Sequence, residues 1–171
     1  MAKALLVIDM LNDFTLDGAP LKVAENRKII PNIQKRIDDA RNENNIIIYI
    51  CDSHSKNDRE FKIWPEHCVE GTKGAQIVNE LSPKEQDLII KKTTYDGFYN
   101  TPLDSVLKNM GISKLTITGC VSHICILHTA SSAVLRGYNV SIPLDSIASL
   151  DENSRNCAID QFKNVLNIKL I

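Results

Sequence analysis

The architecture of this chain is decided by the segment Leu115-Thr116-Ile117-Thr118-Gly119-Cys120-Val121-Ser122-His123-Ile124-Cys125. Its first four residues form an alternating, β-rich apolar run that ends at Gly119, which predicts a strand. From Ile124 to Leu135, apolar residues recur at helical spacing. Cys125 is therefore expected in the first turn of a helix, at the carboxyl end of a strand.

Cys125 has two interpretations at this position. Free backbone N–H groups and the helix dipole favour negative charge at the start of a helix, so a thiol there is expected to have a lowered pKa and to act as a nucleophile. Free cysteine is also among the most frequently buried residue types, so Cys125 could be a small core side chain. This segment alone favours a buried core residue, and the choice between the two interpretations depends on the rest of the chain.

Strands and helices alternate along the rest of the chain. Ala4–Ile8 and Ile46–Cys51 are continuous apolar runs, typical of strands that are buried on both faces. Further strands are predicted at 88–90, at 139–144 and up to residue 171, with helices at 26–42, 101–111 and 151–165. The alternation predicts an α/β fold, with one domain over residues 1–171 and a mostly parallel central sheet between helices on both faces, in a Rossmann-like three-layer arrangement.

Composition excludes several classes of protein. The chain has 20 basic and 21 acidic side chains, a formal net charge of −1 and no basic stripe, so nucleic acid is not an expected partner. No apolar stretch approaches the length of a membrane span, so a membrane is not expected either. Five cysteines occur without the spacing of a disulfide framework, which indicates a reducing compartment and predicts a cytoplasmic location.

Polar side chains follow four of the predicted strands, at the point where each strand ends. The functional site of an open parallel sheet forms at this edge, so we expect these side chains to meet. Asp9 could cap a turn or serve as a general base, and one of the two lysines is expected to be solvated while the other points into the site. The polar residues at the strand ends are Asp9, Asp52, His54, Lys91, Lys92 and Cys125.

A metal site is indicated in the long irregular segment from Asp52 to Lys73. Asp52 and His54 are two residues apart, so in an extended segment their side chains point the same way and can bind one ion. His67 would return from the loop as a third ligand. Such oxygen and nitrogen ligands suit Zn²⁺, Fe²⁺ or Mn²⁺, although the same histidines could be ordinary surface residues.

Three motifs in a fixed order give the sequence a resemblance to a known family. The motifs are Ala4–Phe14, in which a strand ends at an aspartate, Lys92–Asp104, which begins with a lysine, and Gly119–Ala130, which contains the cysteine. Over essentially the whole chain the sequence resembles the isochorismatase-like cysteine hydrolases, and among them most closely the nicotinamidases. The resemblance implies a catalytic triad of Asp9, Lys92 and Cys125.

The resemblance also implies one divalent metal ion, with zinc as the first choice and iron or manganese as alternatives. Asp52, His54 and His67 match the nicotinamidase ligands. Glu60 matches the position of a further ligand that binds directly or through water.

The resemblance assigns the substrate contacts to aromatic side chains. A pyridine ring would lie among Phe14, Trp64 and Tyr99, with Val121 beside it. Each aromatic could also be a packing residue, since aromatic side chains usually serve the core.

The nucleophile motif carries two further expectations from the family. The oxyanion hole would be formed by the backbone N–H groups of Val121 and Cys125, and a cis peptide bond would join Cys120 to Val121. The chain departs from the family at Ser122-His123, where Thr-Asp is usual.

The activity that the resemblance implies is hydrolysis of nicotinamide to nicotinate and ammonia through a cysteine thioester, as a step of NAD salvage. The partner would be this small amide, and the family commonly forms homo-oligomers. Two alternatives stay open. One is another amidase or carbamoyl hydrolase of the family, similar to N-carbamoylsarcosine amidase, and the other is a non-catalytic binding protein on the same scaffold.

Overall fold

A six-stranded parallel β-sheet forms the centre of the computed structural model, which describes residues 2–171. The strand order is β3-β2-β1-β4-β5-β6, so the chain winds outward from β1 in one direction and then from β4 in the other. The strands are β1 (Ala2–Ile8), β2 (Ile46–Asp52), β3 (Leu88–Lys92), β4 (Ile112–Gly119), β5 (Asn139–Ile142) and β6 (Lys169–Leu170). The parallel sheet predicted from the sequence is confirmed.

The helices cover both faces of the sheet. They are α1 (Asn12–Thr15), α2 (Asn26–Asn42), α3 (Leu103–Asn109), α4 (Leu127–Leu135) and α5 (Glu152–Asp160). The α2 helix packs against one face, where Ile33 and Ile37 meet Leu5 and Val7 of the central strand. The opposite face, which includes Leu6 and Ile8, is covered by α3, α4 and α5. Because both faces are buried, the strands are apolar in continuous runs rather than in alternation.

Two predicted helices begin or end differently in the structure. The helix expected from Ile124 starts as a π-helical turn at Ser122–Ile126, and α4 follows from Leu127. The helix expected up to Val165 changes at Gln161 into a second π-helical turn. A π turn is a rare single turn within an α-helix, and a change of one turn is too short for the apolar pattern to reveal.

The start of α3 also differs by one residue from the predicted start. Pro102, expected as the first helical residue, lies at the cap position. Thr101 still has a capping role, because its Oγ1 atom accepts the Leu103 N–H at 3.3 Å.

The strand order creates a crevice beside the two central strands. β1 and β4 are neighbours at the point where the winding direction reverses, and the chain leaves their carboxyl ends toward opposite sides of the sheet. Ligands of open α/β sheets bind at such a reversal point. None of the helices within residues 2–171 is long and apolar enough to cross a membrane.

Candidate active site

Asp9, Lys92 and Cys125 meet at the carboxyl ends of the strands. The Lys92 Nζ atom lies 2.7 Å from Asp9 Oδ2 and 3.6 Å from Cys125 Sγ. All three residues are buried, with at most 6% of their surface exposed. Asp9 directly follows β1 and has a φ of +52°, and its Oδ1 atom accepts the Asp52 N–H at 2.9 Å. This bond holds the carboxylate at the end of the neighbouring strand.

The charge of Lys92 is shared between two buried carboxylates, those of Asp9 and Asp52. Burial alone would lower the pKa of Lys92, but the two carboxylates raise it well above its ordinary value, so the ammonium stays charged. Burial and the charge of Asp52 raise the pKa of Asp9 to about 6, against the opposing effect of Lys92. Lys91, its exposed neighbour, pairs instead with Glu70 at the surface.

The prediction that Cys125 has a lowered pKa is wrong. Burial raises the pKa of the Cys125 thiol well above its ordinary value, and the lowering effect of Lys92 is opposed by the carboxylates of Asp9 and Asp52. Cys125 lies inside the π turn rather than at the exposed start of a helix, so helix position does not govern its ionisation. The resting group is a thiol, and a base must take its proton.

Asp52, His54 and His67 form a compact buried group beside this triad. The Asp52 Oδ2 atom lies 3.7 Å from His54 Nε2 and 3.9 Å from His67 Nε2. Glu60 faces the same point, with its Oε1 atom 3.9 Å from His67 Nε2. Within residues 2–171, no hydrogen-bond partner reaches His54 Nε2, although the atom is fully buried. An unpaired buried nitrogen between oxygen ligands fits a divalent cation.

The outer contacts of both imidazoles also fit metal binding. His67 Nδ1 lies 2.7 Å from the Pro65 carbonyl oxygen, and His54 Nδ1 lies 3.2 Å from Asp58 Oδ2. Metal-binding histidines commonly donate their second N–H to an oxygen, as His67 does, and this turns the other nitrogen toward the ion. The Asp58 carboxylate is an ion-pair neighbour of His54 rather than a hydrogen-bond acceptor. Burial opposes protonation, but the carboxylates of Asp52 and Asp58 raise the pKa of His54 to about 9, so a metal ion that binds here must displace a proton from this imidazole.

Asp58 is a functional residue that sequence analysis missed. Its second oxygen, Oδ1, accepts the Glu60 N–H at 2.9 Å and caps the 3₁₀ helix Arg59–Lys62. One side chain thus pairs with His54 and places Glu60. The available signal was a carboxylate four residues after the histidine, which is too common to stand out.

A cavity of about 330 Å³ opens next to the triad and the proposed ligands. Phe14, Trp64, Tyr95 and Val121 line it, together with Cys125. Trp64 Nε1 donates a hydrogen bond to the Tyr95 hydroxyl at 3.0 Å, which joins two aromatic walls. The cavity is therefore mainly apolar, with charged groups gathered at one end.

The assignment of Tyr99 to this cavity is wrong, because Tyr95 lies in the wall instead. Tyr99 is 52% exposed and follows a tight turn in which Phe98 enters the core. The turn is held by Asp96, whose Oδ1 atom accepts the Phe98 N–H at 2.8 Å. Since Phe98 takes the inward position, the next side chain faces solvent.

The loop between β4 and α4 is held in place by close backbone contacts. Gly119 has a φ of +114°, and a Cβ atom at this position would lie 2.0 Å from the Ile8 carbonyl oxygen, so only glycine fits. The peptide bond between Cys120 and Val121 is cis. Ser122, which stands where the family usually has threonine, is buried, and its hydroxyl lies 2.7 Å from that of Ser149.

Comparison with known proteins agrees with this arrangement. The family model described as the isochorismatase domain matches residues 3–169. The chain therefore belongs to the isochorismatase family, whose members include hydrolases that act on small amides.

Three relatives describe the range of this family. A probable inactive nicotinamidase of Arabidopsis thaliana is 32% identical, over 95% of this chain and 88% of the relative. The pyrazinamidase of Pyrococcus horikoshii in complex with zinc is 30% identical with a TM-score of 0.94, over 100% of this chain and 99% of that chain. The N-carbamoylsarcosine amidase of Thermoplasma acidophilum is 32% identical with a TM-score of 0.90, over 99% and 95%.

Proposed function

We propose that this protein hydrolyses nicotinamide to nicotinate and ammonia. The observation that carries the proposal is the group Asp52, His54 and His67, which lies beside a buried cysteine at one end of an aromatic cavity. A non-aromatic amide would leave the aromatic walls without a stacking partner.

Binding of the substrate would use the walls of the cavity. The pyridine ring lies among Phe14, Trp64 and Tyr95, and the hydrogen bond between the last two keeps the slot narrow. A zinc ion, or iron or manganese in its place, would be held by Asp52, His54, His67 and Glu60. When bound, the ion supplies a Lewis-acidic point that orients the ring nitrogen.

The acylation step would use the triad. Asp9 takes the proton of the Cys125 thiol while Sγ attacks the amide carbonyl, and Lys92 stabilises the developing thiolate. The backbone N–H groups of Val121 and Cys125 are the proposed oxyanion donors, and the loss of one such donor typically costs about 3 kcal/mol. Asp9 then returns its proton to the leaving nitrogen, so that ammonia departs and a thioester remains.

The deacylation step would use Asp9 a second time. As a carboxylate, Asp9 takes a proton from water, and the hydroxide equivalent attacks the thioester carbonyl. The C–S bond breaks, the proton held by Asp9 restores the Cys125 thiol, and nicotinic acid leaves and loses its carboxyl proton to solvent to give nicotinate. A carboxyl group that both takes and gives a proton works best with a pKa near the working pH, and burial raises the pKa of Asp9 to about 6.

The test is ammonia release from nicotinamide by the purified chain. We expect turnover by the wild type and none by Cys125→Ala. Cys157→Ala is the matched control, because Cys157 is an exposed cysteine on α5, away from the cavity. Turnover retained in Cys125→Ala would overturn the nucleophile assignment, and no turnover by the wild type with added zinc would overturn the activity.

A carbamoyl hydrolase is the second candidate, since the chain is as similar to an N-carbamoylsarcosine amidase, at 32% identity, as to nicotinamidase relatives. A panel of nicotinamide, pyrazinamide and N-carbamoylsarcosine, each scored by ammonia release, separates the two activities. A non-catalytic binding protein is the third candidate, and the plant relative described as a probable inactive nicotinamidase supports keeping it. It would bind nicotinamide without turnover, whereas the intact triad favours an enzyme.

The cellular setting that we propose is NAD salvage in the cytoplasm, as part of a homo-oligomer. The absence of a disulfide framework among the cysteines supports a reducing compartment. Native mass spectrometry of the purified chain tests the oligomer, and a monomer at micromolar concentration would contradict it.

A further inference from the structure

We propose that Asp13 is a positioning residue that holds His54 and His67 in their relative places. The inference rests on the proposed function, because these two imidazoles are the proposed metal ligands. Asp13 lies in α1 and faces the long loop rather than the cavity.

Asp13 acts on the peptide that follows His67. Its Oδ2 atom accepts the Cys68 N–H at 2.7 Å. Cys68 is fully buried and has a φ of +46°, a left-handed conformation that is uncommon for a residue with a side chain. The backbone beside the ligand is therefore held in an unfavourable conformation by a charge-assisted hydrogen bond from another part of the chain.

The next peptide group, which carries the Cys68 carbonyl, holds the second histidine. The Cys68 carbonyl oxygen accepts the His54 N–H at 3.0 Å, and the His54 carbonyl oxygen accepts the Glu70 N–H at 2.9 Å. The backbones of the two ligand residues thus meet at Cys68, whose N–H is bound by Asp13. One carboxylate determines the distance between two imidazoles that are 13 residues apart in the sequence.

Asp13 is itself fixed by the end of the loop. Its backbone N–H donates to the Gly74 carbonyl oxygen at 3.0 Å, and Asn12 Nδ2 donates to the Lys73 carbonyl oxygen at 2.8 Å. A Cβ atom on Gly74 would lie 2.0 Å from Asp13 Oδ2. Any larger residue at position 74 must push the carboxylate away from Cys68, so Gly74 provides an independent way to break the contact.

The experiment measures metal affinity, with Zn²⁺ in competition with a chromogenic chelator and Co²⁺ followed by its absorption spectrum. Partners that orient metal ligands typically contribute about 10–100-fold to affinity. We expect Asp13→Ala and Gly74→Ala each to weaken binding by about 10–100-fold and to change the Co²⁺ spectrum. Asp13→Asn keeps an acceptor oxygen and should restore most of the affinity. Asp38→Ala, at an exposed carboxylate on α2, is the control.

A double variant separates positioning from general destabilisation. Asp13→Ala removes the atom that the new methyl group of Gly74→Ala meets, so the double variant should bind metal no more weakly than Asp13→Ala alone. Wild-type affinity in Asp13→Ala, or an equal loss in Asp13→Asn, would overturn the inference. If Asp13→Ala does not fold, the metal affinity of Gly74→Ala is the test, and an affinity equal to that of the wild type would overturn the inference. A wild-type chain that binds no metal would overturn the proposed metal site as well.

Discussion

Replacing Lys92 with methionine removes a buried charge and keeps most of the side-chain volume. The Lys92 ammonium lies 2.7 Å from Asp9 Oδ2 and also pairs with Asp52, and its side chain is 0% exposed. At this distance one ion pair has a gross attraction of about 6 kcal/mol at an effective dielectric constant of 20. Burying the ammonium offsets part of this attraction, whereas its loss leaves two carboxylates uncompensated, so we expect Lys92→Met to lower the free energy of unfolding by about 3–5 kcal/mol.

The destabilisation caused by Lys92→Met should depend on pH and should be larger at high pH. Lys92 lowers the pKa of Asp9, so in the variant this buried carboxyl takes up a proton more readily than in the wild type. A carboxyl group whose folded-state pKa is raised lowers the stability of the fold increasingly as the pH rises above its unfolded value. The difference between wild type and variant should therefore be larger at pH 8 than at pH 5.5.

Urea denaturation of both chains with a chelator present measures this difference. Lys91→Met is the matched control, because Lys91 pairs with Glu70 at the surface, where both side chains are more than 60% exposed. A surface pair is worth at most about 1 kcal/mol, so the control should unfold almost like the wild type. A loss below about 1 kcal/mol in Lys92→Met, or a loss that is larger at pH 5.5, would refute the reasoning about the buried charge.

Three further predictions follow from the site. Gly119→Ala should lower the free energy of unfolding by about 1–3 kcal/mol, because the new Cβ would meet the Ile8 carbonyl oxygen. Urea denaturation measures this change, and stability equal to that of the wild type would contradict it. Tyr95→Phe removes the bond from Trp64 and should raise the KM for nicotinamide about fivefold, as the loss of about 1 kcal/mol implies, whereas Tyr99→Phe should not change it. Chelation should raise KM until zinc is restored, and unchanged kinetics in a metal-free chain would contradict the ligand assignment.

The groups at the strand ends could be predicted because a parallel sheet brings those ends together. Asp9, Lys92 and Cys125 lie at the ends of different strands, and a parallel sheet brings those ends to one edge. The pairing of Asp52 with His54 could also be predicted, since the side chains of alternate residues in an extended segment point in the same direction. These inferences depend on local patterns and a topology that those patterns define.

The remaining features depend on contacts that local patterns do not contain. Tyr95 and Tyr99 are four residues apart in a turn, and only the inward packing of Phe98 decides which tyrosine faces the cavity. The raised pKa of Cys125 arises from burial by the whole surrounding structure, which helix position cannot indicate. Asp58 lies only four residues after His54, and the local conformation of the loop is what brings its carboxylate to the ring.

Because Lys92 pairs with both Asp9 and Asp52, the nucleophilic centre and the proposed metal site share a single counter-ion. Neither can be redesigned in isolation. An engineer who replaced Asp52 with a neutral ligand, in order to change the metal preference, would leave the whole ammonium charge to Asp9 and make that carboxylate a weaker base. Variants intended to alter selectivity at the ion would therefore also change the rate of thiol activation.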